Sequence, residues 1–383
     1  MTSVADFAER VDYGLTASAR NEPIGPKFLR ITDIQDDHVD WETVPFCDRN
    51  TKGVDKAQLA QGDIVFARTG ATTGKSYLVQ NPPQDAVFAS YLIRLRLKPG
   101  ADPSYVAHFF RSTDYWHQIT TFSEGVAQPG VNATKLKQID VPLPSVEEQQ
   151  RIAAVLDAAD ELRTKRRQAL AKLDTLTQAI FIDMFGNPVV NPAGYEVGRL
   201  THLGSLNRGL SKHRPRNDPA LLGGQWPLIQ TGDVANSSGY IDSYSSTYSE
   251  LGLRQSQLWP TGTLCITIAA NIAKTGILQM DACFPDSVVG FAASHSDDNE
   301  YVRALLNFLQ PILEANAPES AQKNINLKVL RELPIPIPSS PERAKFAGLI
   351  HDLNGQRRLL EEDGVRLDTL FASLQQKAFN GEL

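Results

Sequence analysis

The chain has 383 residues, 42% hydrophobic and 21% charged, so it is long enough for two globular domains and too apolar for a disordered protein. Its formal net charge of −6 argues against a uniformly basic coat for nucleic acid, although a local basic patch can still bind DNA. No apolar run is long enough for a membrane span or a signal peptide, and three widely spaced cysteines favour a reducing, cytoplasmic compartment and exclude a CxxC metal site.

The first part of the chain is predicted to mix strands and helices. The run 92–98 alternates between apolar and basic residues, which predicts a half-buried strand. Arg94, Arg96 and Lys98 would share the open face of that strand. A helix is predicted over 104–111, because an aspartate and a proline directly precede it.

A strand predicted at 62–68 leads into a glycine- and threonine-rich loop, 70–76, that contains Lys75. The loop looks at first like a phosphate-binding loop, but its two glycines are separated by three residues instead of four, so nucleotide binding is not expected. Together with Arg68, such a loop suits contacts with DNA phosphates or base edges. A plain tight turn is the alternative.

A long helix is predicted to follow a proline-rich stop. Ser145 and Glu148 form a capping box, and Gly186 with the following Asn-Pro ends the helix, which would be about 60 Å long at ~1.5 Å per residue. The second long helix is predicted to begin near Ser340, with Pro341 at the first helical position. Apolar residues recur along both helices, among them Ile152, Leu156, Leu162, Leu173, Phe346, Leu349, Leu360 and Leu374.

The chain contains an internal repeat. Residues near and within the two helices match at a constant separation of 194 positions, from Gln128 and Gln322 to Phe185 and Phe379. The front halves of the two modules match at a constant separation of 200 positions: residues 28–34 pair with 228–234, and residues 62–66 pair with 262–266. Such offsets indicate duplication, and they predict two similar α/β (α+β) modules related by a pseudo-two-fold repeat.

The two long helices raise a question of packing. A small domain alone does not bury the whole apolar stripe of a helix this long, so the two helices are expected to form an antiparallel coiled coil. That coiled coil would hold the modules at opposite ends. The alternative is that each helix packs on its own module.

Polar residues ahead of each proline-rich stop occur in both modules. Asn and Gln side chains can bind adenine edges in a bidentate way, or they can cap turns. Since modules that recognise different sequences should differ in their contact residues, the repetition also suits a structural role. Both interpretations stay open for Gln128, Asn132 and Lys135 and for Gln322, Asn326 and Lys328.

A basic stretch near the start of the second module has no acidic residue, and it is either a solvated loop or a phosphate-contacting one. No arrangement of residues suits a catalytic site: the acidic clusters, the scattered histidines and an incomplete Asn-Pro-Pro motif at 81–84 all fit ordinary loops. We therefore expect no enzyme activity, no metal and no cofactor on this chain.

Three segments resemble the specificity subunit of type I restriction-modification systems: the run 141–157, the C-terminal run 370–383, and the strand and loop at 62–71. The resemblance implies target-recognition domain 1 at 1–144, a spacer helix at 145–186, target-recognition domain 2 at 187–338 and a second spacer helix at 339–383.

The resemblance further implies a non-catalytic subunit that recognises a bipartite double-stranded DNA site in the major groove. Its helices, through the eight apolar residues named above, would dock two methylation subunits, which bind S-adenosylmethionine, and a restriction subunit can join them. A specificity-like scaffold that binds methylation subunits without recognising sequence is the alternative. By position alone, the candidate DNA-contacting residues are Arg30, Arg68, Thr69, Thr72, Lys75, Gln128, Asn132, Lys135, Lys212, Arg214, Arg216, Gln230, Asn271, Lys274, Gln322, Lys323, Asn326 and Lys328.

Overall fold

The computed structural model describes residues 1–35, 37–70, 72–121, 131–316 and 324–383, except for the side chain of residue 174. Among these residues no helix is long and apolar enough to cross a membrane. The helices are α1 Val4–Phe7, α2 Pro103–Phe109, α3 Thr113–Thr121, α4 Ala133–Lys137, α5 Val146–Phe185, α6 Thr231–Asn236, α7 Glu250–Arg254, α8 Asp298–Ala315, α9 Leu327–Glu332 and α10 Ser340–Asn380.

Short 3-10 turns lie at Ile31–Asp33, Val54–Lys56, Leu200–His202 and Pro219–Leu221. The strands are β1 Thr2–Ser3, β2 Ala8–Tyr13, β3 Phe28–Leu29, β4 Ile64–Ala67, β5 Ser76–Leu78, β6 Val87–Phe88, β7 Leu92–Leu97, β8 Asp140–Val141, β9 Val197–Arg199, β10 Gly204–Arg208, β11 Leu222–Leu228, β12 Tyr240–Ile241, β13 Ser246–Tyr248, β14 Leu258–Trp259, β15 Leu264–Thr267, β16 Thr275–Leu278, β17 Ala282–Cys283, β18 Val288–Ala293 and β19 Pro334–Pro336.

The chain divides into two compact units. Unit 1 contains Met1–Arg167 and Glu362–Leu383, and unit 2 contains Gln168–Glu361. The boundary therefore falls inside both long helices, so each unit holds one recognition module, the first part of one long helix and the last part of the other.

The central sheet of unit 1 is buried on both faces. Its strands are antiparallel in the order β2-β7-β4-β5. Ile64 and Phe66 point into one core, whereas Val65 and Leu92 belong to a second core on the other face. A sheet that is covered on both sides leaves no open face for the basic residues of β7.

The open face expected for the strand at 92–98 is therefore wrong for Arg94 and Arg96, whereas Lys98 is exposed. The Arg94 side chain is fully buried, donates to both carboxylate oxygens of Asp12 at 3.0 and 2.7 Å, and also donates to the carbonyls of Lys56 and Gln58. Arg96 is half-buried and pairs with buried Asp63 at 2.7 Å. The alternating pattern is real, but the chain segment around 54–58 covers the basic face, and ion pairs compensate the burial of charge.

Unit 2 repeats this arrangement with additions. Its main sheet has the order β10-β18-β15-β16-β12, and a second sheet has the order β13-β11-β17-β14. The hairpin β15-β16 pairs Leu264 with Ile277, as β4-β5 pairs Ile64 with Leu78. The two sheets thus place equivalent strands in equivalent positions.

One pair of tyrosines illustrates how closely the repeat is kept. Tyr105 in α2 donates to the carbonyl of Pro142 at 2.7 Å, and Tyr301 in α8 donates to the carbonyl of Pro336 at 2.7 Å. Pro142 and Pro336 are 194 positions apart, and both tyrosines are buried. The internal repeat predicted from the sequence is confirmed.

The long helices begin and end at capping residues. The Ser145 hydroxyl accepts the Glu148 amide at 3.3 Å, and Gly186 follows α5 with a left-handed φ of 73°. The predicted cap of α10 is wrong by one residue, because Ser339 instead of Ser340 precedes the helix. The amide and hydroxyl of Ser339 donate to the Glu342 carboxylate at 2.9 and 2.6 Å.

Within each unit the two long helices run antiparallel. In unit 1, Arg163 of α5 donates to Asp368 of α10 at 2.6 Å, and Arg151 near the start of α5 donates to the carbonyl of Leu383. In unit 2, Phe181 of α5 contacts Phe346 of α10 with ring centroids 5.8 Å apart. The prediction of paired antiparallel helices is therefore confirmed.

Each unit's core is completed by both helices. Ile152 and Leu156 from α5 join Phe371 and Phe379 from α10 in the core of unit 1. Phe181 and Phe185 from α5 join Phe346 and Ile350 from α10 in the core of unit 2. The matching residues Phe185 and Phe379 thus close the core of the module that does not immediately precede their helix in the chain.

This packing corrects three of the residues expected to bind partners. Ile152, Leu156 and Phe346 are buried within the chain's own cores, because the module needs them to complete its apolar interior. Leu162 and Leu349 are 53% and 41% exposed, so they stay available to another chain. The side chains of Leu173, Leu360 and Leu374 are half-buried.

Candidate nucleic-acid interface

Main-chain hydrogen bonds close the two ends of the loop between β4 and β5. The Ala67 amide donates to the Lys75 carbonyl at 2.9 Å, and the Gly74 amide donates to the Ala67 carbonyl at 2.9 Å. Gly70 and Gly74 have φ values of 89° and 86°, which glycine adopts most easily. The Tyr115 hydroxyl donates to the Gly74 carbonyl at 2.6 Å and fixes the loop against α3.

The loop between β15 and β16 is one residue shorter, but it is closed by the equivalent pair of main-chain hydrogen bonds although its glycines are replaced. The Thr267 amide donates to the Lys274 carbonyl at 2.9 Å, and the Ala273 amide donates to the Thr267 carbonyl at 2.8 Å. Ala270 and Ala273 have left-handed φ values of 64° and 56°. Ala270 occupies the position of Gly70, at the same separation of 200 positions as the strands before the two loops.

Three exposed residues lie on neighbouring segments beside the first loop, and we call them the tyrosine–arginine cluster: Tyr13, Arg68 and Tyr91. The Arg68 guanidinium lies 5.0 Å from the centroid of the Tyr13 ring, and the Arg68 amide donates to the Tyr91 carbonyl at 3.0 Å. Tyr91 is 65% exposed and Tyr13 is 43% exposed. An exposed tyrosine ring stacked on a guanidinium, with a second exposed tyrosine on the adjoining turn, is suited to contacts with nucleic-acid bases.

The start of α4 borders this cluster. The Val131 amide donates to the Arg68 carbonyl at 3.3 Å, and the Ala133 amide donates to the Tyr13 hydroxyl at 3.1 Å. Asn132 lies between them and caps α4 by accepting the Lys135 amide at 2.8 Å. The backbone of α4 thereby holds Tyr13 and Arg68 in place.

Unit 2 has an arginine cluster in the corresponding corner, which we define as Arg208, Arg214 and Arg216 around Asp286. Arg208 donates to the Asp286 carbonyl at 3.0 Å, Arg214 lies 3.7 Å from its carboxylate, and Arg216 forms a close ion pair with it. One carboxylate faces three guanidinium groups, so the cluster keeps a net positive charge. The side chains of Arg214 and Arg216 are 55% and 45% exposed.

The two clusters occupy the same place in the fold. The Ile268 amide donates to the Ser287 carbonyl at 3.0 Å, as the Arg68 amide donates to the Tyr91 carbonyl. Asp286 therefore lies in the turn before β18 that corresponds to the turn before β7. The backbone is shared, whereas the exposed side chains differ in chemistry.

Other candidates from the sequence have structural partners. Asn326 caps α9 by accepting the Val329 amide at 3.0 Å, as Asn132 caps α4, so the repeated asparagines act as helix caps. Gln230 precedes α6, and its main-chain amide donates to the Asp233 carboxylate at 2.7 Å. Lys328 lies 3.8 Å from Glu332.

Arg30 precedes a 3-10 turn and donates to both carboxylate oxygens of Asp33, at 3.0 and 2.6 Å. The hydrogen bonds to Asp33 raise the pKa of Arg30 above its ordinary value. The Arg30 guanidinium is therefore held by the turn that follows it. Gln230 occupies the equivalent position in unit 2, before α6.

The remaining candidates differ in their exposure. Lys274 lines a cavity of unit 2, as described below, whereas Gln128, Gln322 and Lys323 lie outside the described residues. Lys135 and Thr72 are half-buried. Exposed residues on or beside the two loops and the basic stretch are Thr69, Lys75, Asn271 and Lys212.

Sequence reasoning missed two members of the clusters, Tyr13 and Tyr91, whereas Arg208 belongs to the basic stretch that the sequence singles out. Tyr91 directly precedes the alternating strand β7, where an aromatic residue in a turn is a recognisable sign of an exposed contact. Tyr13 and Arg208 end β2 and β10 just before the matched Gly-Leu pairs at 14–15 and 209–210. Strand ends beside matched pairs were therefore the available signal.

Comparison with known proteins adds a family likeness. A family model described as the type I restriction modification DNA specificity domain matches this chain twice, over residues 21–173 and 192–362. The chain is 23% identical over 363 residues to the proposed type I restriction enzyme MjaX specificity subunit of Methanocaldococcus jannaschii, covering 89% of this chain and 83% of that protein.

Two further proteins give the same picture. The type I restriction enzyme StySPI specificity subunit of Salmonella potsdam is 21% identical over 388 residues, covering 93% of this chain and 82% of that protein. The fold is similar to that of the type I restriction-modification S subunit from M. genitalium, with a TM-score of 0.60 at 14% identity, covering 98% of this chain and 95% of that chain.

Proposed function

The chain belongs to the type I restriction-modification DNA specificity family, and from this membership we propose that its two clusters recognise the two halves of one bipartite DNA site. The family role is that of a specificity subunit with two target-recognition domains, which recognises DNA and leaves the chemistry to other subunits. The tyrosine–arginine cluster would contact one half-site and the arginine cluster the other.

The observation that supports this proposal is the pairing of one backbone corner with two different sets of exposed side chains. Arginine binds guanine O6 and N7 in a bidentate way, whereas a tyrosine ring gives apolar contact with bases and the thymine methyl group. Two modules that recognised the same half-site would have the same side chains there. The difference therefore favours two unlike half-sites.

The long helices are proposed to dock two methylation subunits. Specificity subunits of this family bind DNA and assemble with the other subunits of the restriction-modification complex. The described parts of α5 and α10 keep large apolar side chains exposed, which favours burial against another protein. These residues are Leu162 at 53%, Leu349 at 41%, Leu359 at 62%, Val365 at 68% and Leu370 at 50% exposure.

In such a complex the methylation subunits would bind S-adenosylmethionine as methyl donor, and this chain would hold no cofactor. A restriction subunit would join the complex where the host encodes one. The complex would act on the host genome in the cytoplasm.

An adenine-methylation map tests the proposal. The gene would be expressed in a host beside its neighbouring methylation subunit, and the genome would be compared with that of a host lacking only this gene. We expect a bipartite methylated motif that depends on the gene. A complex that co-purifies but produces no new motif would contradict DNA recognition and favour a scaffold.

A further inference from the structure

Unit 2 contains a cavity of about 340 Å³ between its module and the long helices. Leu173 and Thr177 of α5 line one side, and Asn354 and Arg357 of α10 line another. The module closes the remaining sides with α8, the start of β16 and the residues that follow α6. This volume lies within the range of roughly 300–1,000 Å³ that is usual for small-molecule sites.

The same place in unit 1 is filled. Phe371 of α10 lies there, with the Arg163 guanidinium 4.4 Å from its ring centroid and the His108 ring 6.0 Å away. Phe371 and Thr177 are 194 positions apart, and His108 corresponds to Ala304 through the matched tyrosines Tyr105 and Tyr301. Two large rings in unit 1 are thus replaced by two small side chains in unit 2.

Arg357 keeps the position of Arg163, again 194 residues away. In unit 1, the edges of the Arg163 guanidinium pair with Asp160 at 2.8 Å and Asp368 at 2.6 Å, while its face covers the Phe371 ring. Arg357 lies 3.7 Å from Glu361 and lines the cavity. Arg163 thus shows that an arginine of this chain can form ion pairs through the edge of its guanidinium and stack the face of the same group on an aromatic ring.

The lining of the cavity is polar and basic. Lys274 and Arg303 add two cations to Arg357, and no carboxylate occurs among the described residues that line the cavity. Arg303 is buried and pairs with Glu300 at 2.9 Å, whereas Lys274 is exposed at the edge. The neutral polar side chains of the lining are Thr177, Gln178, Ser237, Ser238, Thr275, Asn307, Gln310 and Asn354.

We propose that this cavity binds a small planar anion, a molecule with one aromatic or heteroaromatic ring and a phosphate or carboxylate group. The ring would take the place that Phe371 has in unit 1, against the face of Arg357, and the anionic group would lie toward Lys274. The cation–π contact and the charge interaction would then act on one ligand.

A wholly apolar occupant is disfavoured by the same lining. An aromatic side chain inserted by another protein would cover hydroxyl and amide groups without replacing their hydrogen bonds to water, which costs free energy for each group left unpaired. Thr275, Asn354 and Ser237 already donate to Asn307, Tyr240 and Val234, and a ligand with acceptor oxygens would serve the other donors of the lining. The chemistry thus favours the small anion over a side chain from a partner.

The cavity also adjoins the β15-β16 loop. Lys274 and Thr275 end this loop, and the Thr275 hydroxyl donates to Asn307 of α8 at 2.8 Å. A bound anion would therefore contact the loop whose counterpart in unit 1 borders the tyrosine–arginine cluster. The proposal itself does not depend on DNA recognition, since it concerns binding of a small molecule to the chain alone.

Isothermal titration calorimetry on the full chain tests the proposal, with phenyl phosphate as the probe. We expect roughly millimolar or tighter binding for a ligand of this size. Inorganic phosphate and phenol, which each contain half of the probe, should bind at least about tenfold more weakly. Thr177→Phe restores the ring found in unit 1, so it should abolish binding, whereas the matched Thr177→Ser should not.

Lys274→Ala should weaken phenyl phosphate binding while leaving the thermal unfolding temperature unchanged. Equal binding of inorganic phosphate would overturn the proposal, because the ring would then be irrelevant. Probe binding that survives in a folded Thr177→Phe variant would also overturn it, since the probe would lie elsewhere. Absence of probe binding, together with loss of methylation-subunit assembly in Thr177→Phe, would instead assign the cavity to a partner's side chain.

Discussion

At the scale of single residues, the two clusters show how one fold can present different chemistry. The turn before β7 ends in Tyr91, and the turn before β18 contains Asp286 with its three arginines. Each corner is closed by main-chain hydrogen bonds, to which Tyr13 and Arg208 each add one side-chain bond to the backbone, whereas no such bond is made by the Tyr91 side chain among the described residues. Side chains there can change without loss of the fold.

Variants of the clusters should change one half-site at a time. Tyr91→Ala is expected to relax base preference in one half of the methylated motif, since a lost base contact costs about 1–3 kcal/mol of discrimination. Arg216→Ala is expected to affect the other half only. Methylation maps of both variants check this, with Leu251→Ala as a control at an exposed site outside the clusters. Changes in both halves from one variant would contradict the assignment.

The loop glycines provide a prediction about backbone strain. A Cβ atom at Gly70 would meet nothing within 4 Å, so Gly70→Ala adds only the conformational cost of a left-handed φ of 89°. We expect a decrease of about 1 kcal/mol in the free energy of unfolding. The reverse change, Ala270→Gly at φ 64°, should be neutral or stabilising.

Urea denaturation of the two loop variants measures both effects. The pair is matched because both positions lie in the same turn of equivalent loops. A Gly70→Ala variant as stable as the parent chain would show that the loop relaxes to another conformation.

Asp157 predicts a dependence of stability on pH. Burial opposes ionisation of its carboxyl group, but hydrogen bonds from His108 and Ser104 lower the pKa below the ordinary value of 3.8. A carboxyl whose pKa is lower in the folded state contributes stability above its unfolded pKa, and this contribution is lost as pH falls through the folded value. Asp157→Asn should therefore be less stable than the parent at neutral pH.

The difference in unfolding temperature between Asp157→Asn and the parent should shrink as the pH falls below about 4. Thermal unfolding at several pH values measures it, with Asp114→Asn as a control at an exposed position of α3. A difference that stays constant with pH would rule out ionisation of Asp157 as its source.

At the scale of elements, the strand β7 shows that a correct pattern can be assigned to the wrong environment. Its alternation was identified correctly, and its apolar residues point into the first core of unit 1. Its basic face is covered all the same, because Asp12 and Asp63 lie within reach of Arg94 and Arg96. Those partners come from distant parts of the chain, which a local pattern does not contain.

The paired tyrosines provide a prediction at the same scale. Tyr105→Phe and Tyr301→Phe each remove one hydroxyl that ties a module helix to the proline-rich segment before a long helix. We expect each change to lower the free energy of unfolding by about 1–2 kcal/mol, because a carbonyl near the core loses its partner. The outer tyrosine variant Tyr244→Phe, at 45% exposure, should have almost no effect.

Denaturation monitored by circular dichroism measures these three variants. Similar losses for Tyr105→Phe and Tyr301→Phe are expected, since the two bonds have the same length of 2.7 Å. A lower free energy of unfolding in only one of the two variants would mean that the two tyrosine hydrogen bonds do not contribute equally to stability.

At the scale of the whole molecule, the long helices are proposed to set the spacing between half-sites. The unit boundary lies after Arg167 in α5 and after Glu361 in α10. Inserting four residues at both places adds about one helical turn, or ~6 Å, to each helix without altering either core. We expect the recognised motif to acquire a different spacer, which a methylation map measures.

Insertion into α5 alone is the matched control. It lengthens α5 but not α10 between the two units, so the helices cannot keep their pairing in register in both units at once, and we expect lower stability and no clean new spacer. An unchanged spacer after the paired insertion would contradict the idea that helix length sets the site.

The sequence by itself determined the repeat, the order of elements and the helix ends. These features depend on local spacing: the constant separation of 194 positions, the Ser145 cap and Gly186 as a helix stop are all visible in the chain. The recurrence of apolar residues also predicted that the long helices pair. Helix α5 has 40 residues, and its apolar stripe requires a second helix to cover it.

Only the tertiary structure decided which residues meet. Tyr13, Arg68 and Tyr91 lie far apart in the chain and come together because β2, β4 and β7 are neighbours in one sheet. The cavity of unit 2 arises because Thr177 and Ala304, on different helices, are both small where unit 1 has rings. Such features depend on contacts between distant segments, and the spacing of residues along the chain contains no record of them.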